Sequence, residues 1–268
     1  MTKVNKAIAF GWAVTGIAIL FMFFGVFAIS QGWLGKLPPV SDLQNPINKY
    51  ASRIYSSDNR IIGTWSYTKD NRVMVPYDSL PENLIKALIA TEDVRFYDHS
   101  GIDAKAIVRA LVKRQLLGQM NAGGGSTVTQ QLAKQLYTKV ERSESKRMMQ
   151  KPIEWFIAVQ LERYYTKEEI LTMYLNYFDF LYTGVGIKNA ARTYFGKTPI
   201  ELNLNECATL IGMCKNPSYY NPYRRSEGQF IANERCRERR NVVLSQMEKA
   251  GFISNEEKEK IQQEPLCT

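Results

Sequence analysis

The chain has 268 residues, 45% of them hydrophobic, with 35 Lys and Arg against 26 Asp and Glu for a formal net charge of +9. That length allows a membrane segment plus one sizeable domain, or at most two small ones, and the hydrophobic content excludes a disordered or fibrous chain. The positive balance points to an anionic contact, such as phospholipid headgroups, a diphosphate or nucleic acid, without choosing among them.

Residues Ala7 to Ile29 include no charged side chain and are rich in Ile, Phe, Val and Leu, a run long enough to cross a hydrocarbon layer of about 30 Å as a helix. We read it as a transmembrane anchor. Lys3 and Lys6 precede it and no acidic residue appears before Asp42, so the positive-inside rule places the N-terminus in the cytoplasm and the remainder outside. A cleaved signal peptide is the competing reading, but the apolar core is long for one and Ala28-Ile29-Ser30-Gln31 has no clear small-x-small site. Pro38, Pro39 and Pro46 then suit an extended linker. Two β-prone runs, Arg53–Ser56 and Ile61–Ser66, follow on either side of Ser57-Asp58-Asn59-Arg60, with a third short run at Val73–Val75.

From Ser79 onward helical signals dominate. Ser79-Leu80-Pro81-Glu82 and Thr166-Lys167-Glu168-Glu169 fit capping boxes, and Thr198-Pro199-Ile200-Glu201 adds Pro at a first helical position. Residues Ile102 to Met120 interleave apolar side chains with Lys105, Arg109, Lys113 and Arg114, which suits either a membrane-interface helix or an ordinary amphipathic surface helix. Ile153 to Leu161 is apolar nearly all round, which marks a buried helix and makes Glu154 conspicuous. The fold class is therefore mainly α. Residues 1–35 form a cytoplasmic tip and anchor, 36–78 a linker and small β region, 79–250 the main domain, and 251–268 a C-terminal helix or the start of a linker.

Four cysteines, Cys207, Cys214, Cys236 and Cys267, show no metal-ligand spacing. Cys207 and Cys214 share a helix face two turns apart, roughly 10 Å, too far for a disulfide. Buried free thiols are expected.

Three stretches carry chemistry. In Thr91-Glu92-Asp93-Val94-Arg95-Phe96-Tyr97-Asp98-His99-Ser100-Gly101, paired carboxylates end a helix and the only histidine follows. In Gly123-Gly124-Gly125-Ser126-Thr127-Val128-Thr129-Gln130-Gln131-Leu132-Ala133-Lys134, a glycine run enters a helix whose free N–H groups can hold an anion, with Lys134 on a later turn. In Lys151-Pro152-Ile153-Glu154, a cation and a carboxylate stand three apart on one helix face. Taken alone, Glu92 also fits a helix-end salt bridge and Ser126 or Thr127 a simple cap. Glu154, if unpaired in an apolar helix, would cost several kcal/mol.

In the order Glu-Asp-x-x-Phe-x-x-His-x-Gly, Gly-Gly-Ser-Thr-x-Thr-Gln-Gln-Leu-x-Lys, Lys-x-x-Glu, Tyr-Leu-Asn (Tyr174 to Asn176) and Ala-Ala-x-x-Tyr-Phe-Gly-Lys (Ala190 to Lys197), the chain resembles family 51 glycosyltransferases. These are the polymerase modules of class A penicillin-binding proteins and of monofunctional peptidoglycan glycosyltransferases. The resemblance implies a lysozyme-like α lobe with a smaller membrane-associated jaw at Ile102–Met120. It implies a donor glycan on undecaprenyl diphosphate, lipid II as acceptor, attack of the acceptor 4-hydroxyl on the anomeric carbon with inversion, and release of diphosphate. Glu92 matches the catalytic base and Glu154 the second essential glutamate, near the diphosphate or its Mg²⁺ or Mn²⁺. Lys134 and Lys151 match phosphate-holding positions. Asp93, Phe96, Ser126, Thr127, Thr129, Gln130 and Gln131 fall on the substrate side, while His99 and Asn176 have a structural reading beside a binding one. The metal would bind with the substrate, Glu154 being its nearest protein group. Partners implied are lipid II, the growing glycan, the membrane and other cell-wall synthesis proteins, at the outer face of the bacterial cytoplasmic membrane. The outward topology argues against nucleic acid.

The chain departs from the family pattern in two places. Gln150 stands where an arginine often precedes the third-motif lysine, and Arg147, on the same face as Lys151, is the expected substitute. Phe178 to Ile187 replaces the usual aromatic-glycine loop. Ser143-Glu144-Ser145-Lys146 and Ser57-Asp58-Asn59 mimic two transpeptidase motifs, but in reversed order and without Lys-Thr-Gly, and only 46 residues follow Pro222. A monofunctional enzyme and the N-terminal part of a bifunctional one both fit. An inactive glycan-binding scaffold and a lysozyme-like glycan-cleaving enzyme are the rival readings, the latter needing neither Lys134 nor Lys151.

Overall fold

The structure, a computed structural model, describes residues 37–44, 52–65, 72–112, 124–138, 143–226 and 229–266, together with isolated positions between 12 and 32. The anchor run Ala7–Ile29 lies largely outside the described residues, and among those described no helix is long and apolar enough to cross a membrane. The C-terminal half of the Ile102–Met120 run and Cys267 also lie outside them.

The chain is mainly helical. A short helix α1 (Val40–Gln44) precedes strands β1 (Ser52–Tyr55) and β2 (Ile61–Trp65), which pair antiparallel with Ser52 opposite Trp65 and a register shift between Ile54 and Tyr55. Ser57-Asp58-Asn59 is the turn between them. Asn59 takes the left-handed conformation (φ 62°) that closes a three-residue hairpin loop, a task in turn geometry that accounts for the sequence without any catalytic one. Val73–Val75 is not a strand. Instead the Asn176 side chain receives the Val75 N–H at 2.9 Å and donates to the Val75 carbonyl at 2.8 Å, replacing a neighbouring strand with one amide.

The body comprises α2 (Glu82–Glu92), α3 (Ala104–Leu111), α4 (Val128–Tyr137), α5 (Glu144–Tyr164), α6 (Lys167–Tyr177), α7 (Ile187–Phe195), α8 (Leu204–Met213), α9 (Glu234–Lys249) and α10 (Asn255–Gln263). A β3–β4 hairpin (Tyr223–Ser226 with Gln229–Ala232) leads into α9. Helix α2 packs against α8 and α9, and α4 packs against α5 and α6. One apolar core joins both groups, with Leu84, Leu88, Leu132, Ile157, Leu161, Leu171 and Leu175 fully enclosed.

The Thr166–Glu169 capping box starts α6. The Ser79 box does not form, because Ser79 ends a 3-10 turn (Tyr77–Ser79) and Pro81, which has no side-chain donor or acceptor, takes the cap position of α2. At Thr198 the box partner Glu201 accepts from both the Thr198 N–H (2.8 Å) and its hydroxyl (2.7 Å), tying a 3-10 turn rather than an α-helix. The Ile153–Leu161 stretch is not enclosed on all sides, since Phe156 is 37% exposed. The enclosed helix is α8, in which every residue from Asn205 to Met213 is buried. Its Glu206 pairs with Lys197 at 2.6 Å and closes a capping box with Asn203.

Arg240 on α9 is fully buried. Its guanidinium donates to Asn205 Oδ1 and to the carbonyls of Gln262, Glu264 and Pro265, which fastens the end of α10 to α8 and α9. Cys207, Cys214 and Cys236 are buried free thiols, and burial pushes the Cys236 thiol up to about 12.

Candidate active site

Glu92 is the last residue of α2 and Asp93 caps it. Although adjacent, the two carboxylates point to different places. Asp93, 7% exposed, accepts the Val128 N–H at 3.1 Å and His99 Nε2 at 3.0 Å. The N-terminus of α4 thus already holds an anion, and it is the protein's own Asp93. Thr127 caps the same helix by accepting the Gln130 N–H at 3.1 Å.

The chain reaches this arrangement through Gly101. Its φ of +89° suits glycine, and a Cβ there would meet the Ala158 backbone at 2.8 Å, so α5 passes directly against it. The Gly101 carbonyl accepts the Thr127 hydroxyl at 2.7 Å and Gln130 Nε2 at 3.3 Å. Thr129, fully buried, donates instead to Glu162 at 2.6 Å, and Lys167 bridges Glu162 (2.9 Å) to the His99 carbonyl (2.6 Å). Thr129 and Gln130 therefore hold α4 to its neighbours and are turned away from the cavity, because a buried hydroxyl or amide must spend its hydrogen bonds on internal partners. Phe96, also fully buried, stacks edge-on with His99 and carries the Lys167 ammonium 4.3 Å from its ring centre. Asn176, 1% exposed, serves Val75 and the Thr172 carbonyl.

Glu92 faces a cavity of about 1330 Å³, whose wall also includes Asp93, Ser126, Thr127 and Gln131. Gln131 Nε2 donates to Glu92 Oε2 at 2.8 Å, and Arg239 Nη2 stands 3.9 Å from Glu92 Oε1. Glu154, 2% exposed, accepts from Lys151 at 2.7 Å, and the same ammonium reaches Ser126 Oγ at 3.3 Å. Glu154 is therefore paired, and the pair touches the cavity through Ser126. Lys134 is half-buried one turn beyond Gln131 and Arg147 is exposed; neither lines the cavity. Among the described residues no group of three or more His, Cys, Asp or Glu could hold a metal ion.

The opposite wall comes from residues that sequence reasoning missed: Lys215 and Tyr220 after α8, and Glu238, Arg239, Val242, Gln246 and Lys249 on α9. Their spacing along α9 is that of one helix face, a legible signal of a face but not of what it faces. Asp103, which caps α3 and accepts from Arg95 at 2.6 Å, closes the near rim. Burial pushes its carboxyl up, but the Ala106 N–H and the Arg95 guanidinium outweigh that and hold it below its ordinary range. The loop at Phe178–Ile187 is a tight turn with Leu181 and Tyr182 both at positive φ (71° and 52°), held by the Gly184 N–H on the Leu181 carbonyl and the Leu181 N–H on Asp179.

The family model described as Transglycosylase matches residues 58–248. Penicillin-binding protein 1A of Escherichia coli is 39% identical over 222 residues, covering 83% of this chain and 24% of that protein. Penicillin-binding protein 1A of Aquifex aeolicus is 36% identical over 253 residues, with 94% and 33% covered, and penicillin-binding protein 1A/1B of Bacillus subtilis is 40% identical over 216 residues, with 80% and 22% covered. The chain spans about a third or less of the length of these curated relatives. With the family model covering most of the chain and the five ordered motifs inside that span, the chain belongs to the transglycosylase family, family 51 of the glycosyltransferases.

Proposed function

We propose that this chain is a peptidoglycan glycosyltransferase that polymerises lipid II into glycan strands, with inversion at the donor anomeric carbon and release of undecaprenyl diphosphate. The observation that carries the reading is the cavity itself. Glu92 is held by one oxygen to Gln131, with the other on the cavity side 3.9 Å from Arg239, and across the glycine-rich segment Lys151, paired with Glu154, reaches Ser126 on the wall. Glu92 takes the proton of the acceptor 4-hydroxyl as that oxygen bonds to the donor anomeric carbon. The bond from that carbon to the diphosphate oxygen breaks, and the leaving group departs with its electron pair. Lys151, paired with Glu154 at 2.7 Å, 41% exposed and within 3.3 Å of Ser126 Oγ, is the cation that would meet the growing negative charge.

A divalent cation, Mg²⁺ or Mn²⁺, would fit this site as a guest of the substrate diphosphate, since among the described residues no group of three or more His, Cys, Asp or Glu could hold it and Glu154 already holds Lys151. When bound it would supply further charge at the leaving group. The lysozyme-like lobe with a membrane-associated jaw, the second formed around α3 with Val108 and Val112 exposed beside Arg109, belongs to the same proposal. So does anchoring by Ala7–Ile29 in the bacterial cytoplasmic membrane, with the domain on the outer face among cell-wall synthesis proteins.

The test incubates detergent-solubilised protein with labelled lipid II and a divalent cation and resolves products by size. Polymer from wild type and none from Glu92→Gln is the expected result. Bound but unconverted lipid II would favour the scaffold, and shortened glycan the cleaving enzyme.

A further inference from the structure

Tyr174 on α6 is among the largest fully buried side chains, and its phenol oxygen sits where an unbonded hydroxyl would cost free energy. That hydroxyl donates to Gln131 Oε1 at 3.1 Å, and Gln131 Nε2 donates to Glu92 Oε2 at 2.8 Å. Three helices, α6, α4 and α2, each contribute one member of this chain of bonds. The amide in the middle has two unlike ends, and only one orientation satisfies both neighbours. Turned over, it would press its oxygen on a carboxylate oxygen and present its N–H groups to a hydroxyl that must donate elsewhere. Burial first, then Cys214 and the charge of Glu92, keep the Tyr174 hydroxyl far above its ordinary range, so it stays a donor.

We infer that Tyr174 is a positioning residue for glycosyl transfer: through the Gln131 amide its hydroxyl fixes which oxygen of Glu92 is engaged and which is presented to the acceptor hydroxyl. The inference rests on the reading of Glu92 as the base. The presented atom is Oε1, which lies toward Arg239. A carboxylate free to rotate would offer the acceptor hydroxyl a correctly aimed oxygen for only part of the time, which lowers turnover without changing how substrate binds.

The test uses the whole chain in detergent, labelled with ¹⁵N-glutamine, with the Gln131 side-chain resonances assigned by their loss in Gln131→Met. Tyr174→Phe and Glu92→Gln should each shift those resonances. On lipid II, Tyr174→Phe should lower kcat about tenfold with KM unchanged, and the double variant with Gln131→Met should be no slower than Gln131→Met alone, because the two act in series. Unmoved amide resonances, a loss confined to KM, or losses that multiply in the double variant would overturn the inference. If Tyr174→Phe does not fold, 3-fluorotyrosine placed at position 174 strengthens the same donor, and the inference requires the Gln131 amide to respond. Absence of polymer from wild type, with the amide shifts intact, would overturn the proposed activity and leave the Tyr174–Gln131–Glu92 link standing.

Discussion

Two glutamates in this molecule look alike in burial and pairing and sit in different surroundings. Glu154 pairs with Lys151 at 2.7 Å, with side chains 3% and 41% exposed, and Glu206 pairs with Lys197 at 2.6 Å, with side chains 4% and 38% exposed. Glu206 is closed on the fold: its second oxygen accepts the Asn203 N–H at 2.8 Å while Asn203 returns a bond to the Glu206 N–H at 2.9 Å. The Glu154 pair instead shares its ammonium with Ser126, on the wall of the cavity that Glu92 faces. Burial and an ion pair are therefore the same for a carboxylate closed on the fold and for one beside the cavity wall. What differs is where the partner's remaining hydrogen-bonding capacity points.

The strongest way to break this contrast is Glu154→Gln. We expect turnover on lipid II to fall about a hundredfold or more, as for loss of a group that manages charge in the transition state, with the thermal midpoint nearly kept. Near-normal turnover would place Glu154 with Glu206. The reciprocal change, Glu206→Gln, should lower unfolding stability by about 2 to 3 kcal/mol in a denaturant titration, through loss of the cap bond and the pair, while the folded fraction keeps its turnover. A hundredfold loss of activity there would erase the distinction.

Asp103 sharpens the contrast by titration, since it belongs with Glu206 as a carboxylate spent on a helix cap and a cation. Its carboxyl is held below the ordinary 3.8, so the native state gives up this proton more readily than the unfolded chain. The stability it contributes is complete above that ordinary value and is lost as pH falls through the lowered native one. Asp103→Ala should therefore be less stable than wild type by about 2 kcal/mol at neutral pH. The gap in thermal midpoint should close as pH falls below 3.8. A gap independent of pH would assign the loss to packing.

Much of this was legible in the sequence where one short segment decides the outcome. Thr166 and Glu169 stand three apart and form their box. Where the outcome depends on a distant partner, the sequence was silent or misleading. Val73–Val75 has β-prone composition, but its mate is an asparagine side chain 101 residues away. Thr129 and Gln130 sit in a hydroxyl- and amide-rich helix start as a substrate wall would, yet Glu162 and the Gly101 carbonyl claim them. At the helix start where an anion site was expected, the Val128 N–H meets Asp93, a partner that no local pattern could supply. Arg239 was invisible as a neighbour of Glu92 because α9 returns to α2 only through the tertiary fold.

The Arg240 part of the fastening of the C-terminal helix differs in kind from these carboxylate contacts. The Arg240 bonds to Asn205, Gln262, Glu264 and Pro265 join a guanidinium to amide oxygens. A guanidinium keeps its proton and an amide oxygen gains none across the range in which proteins fold. Those bonds are thus blind to acidity, and they hold the end of α10 to the helix that carries Arg239 beside two contacts of the same joint that do use a carboxylate, Asn205 with Glu264 and Lys258 with Glu248.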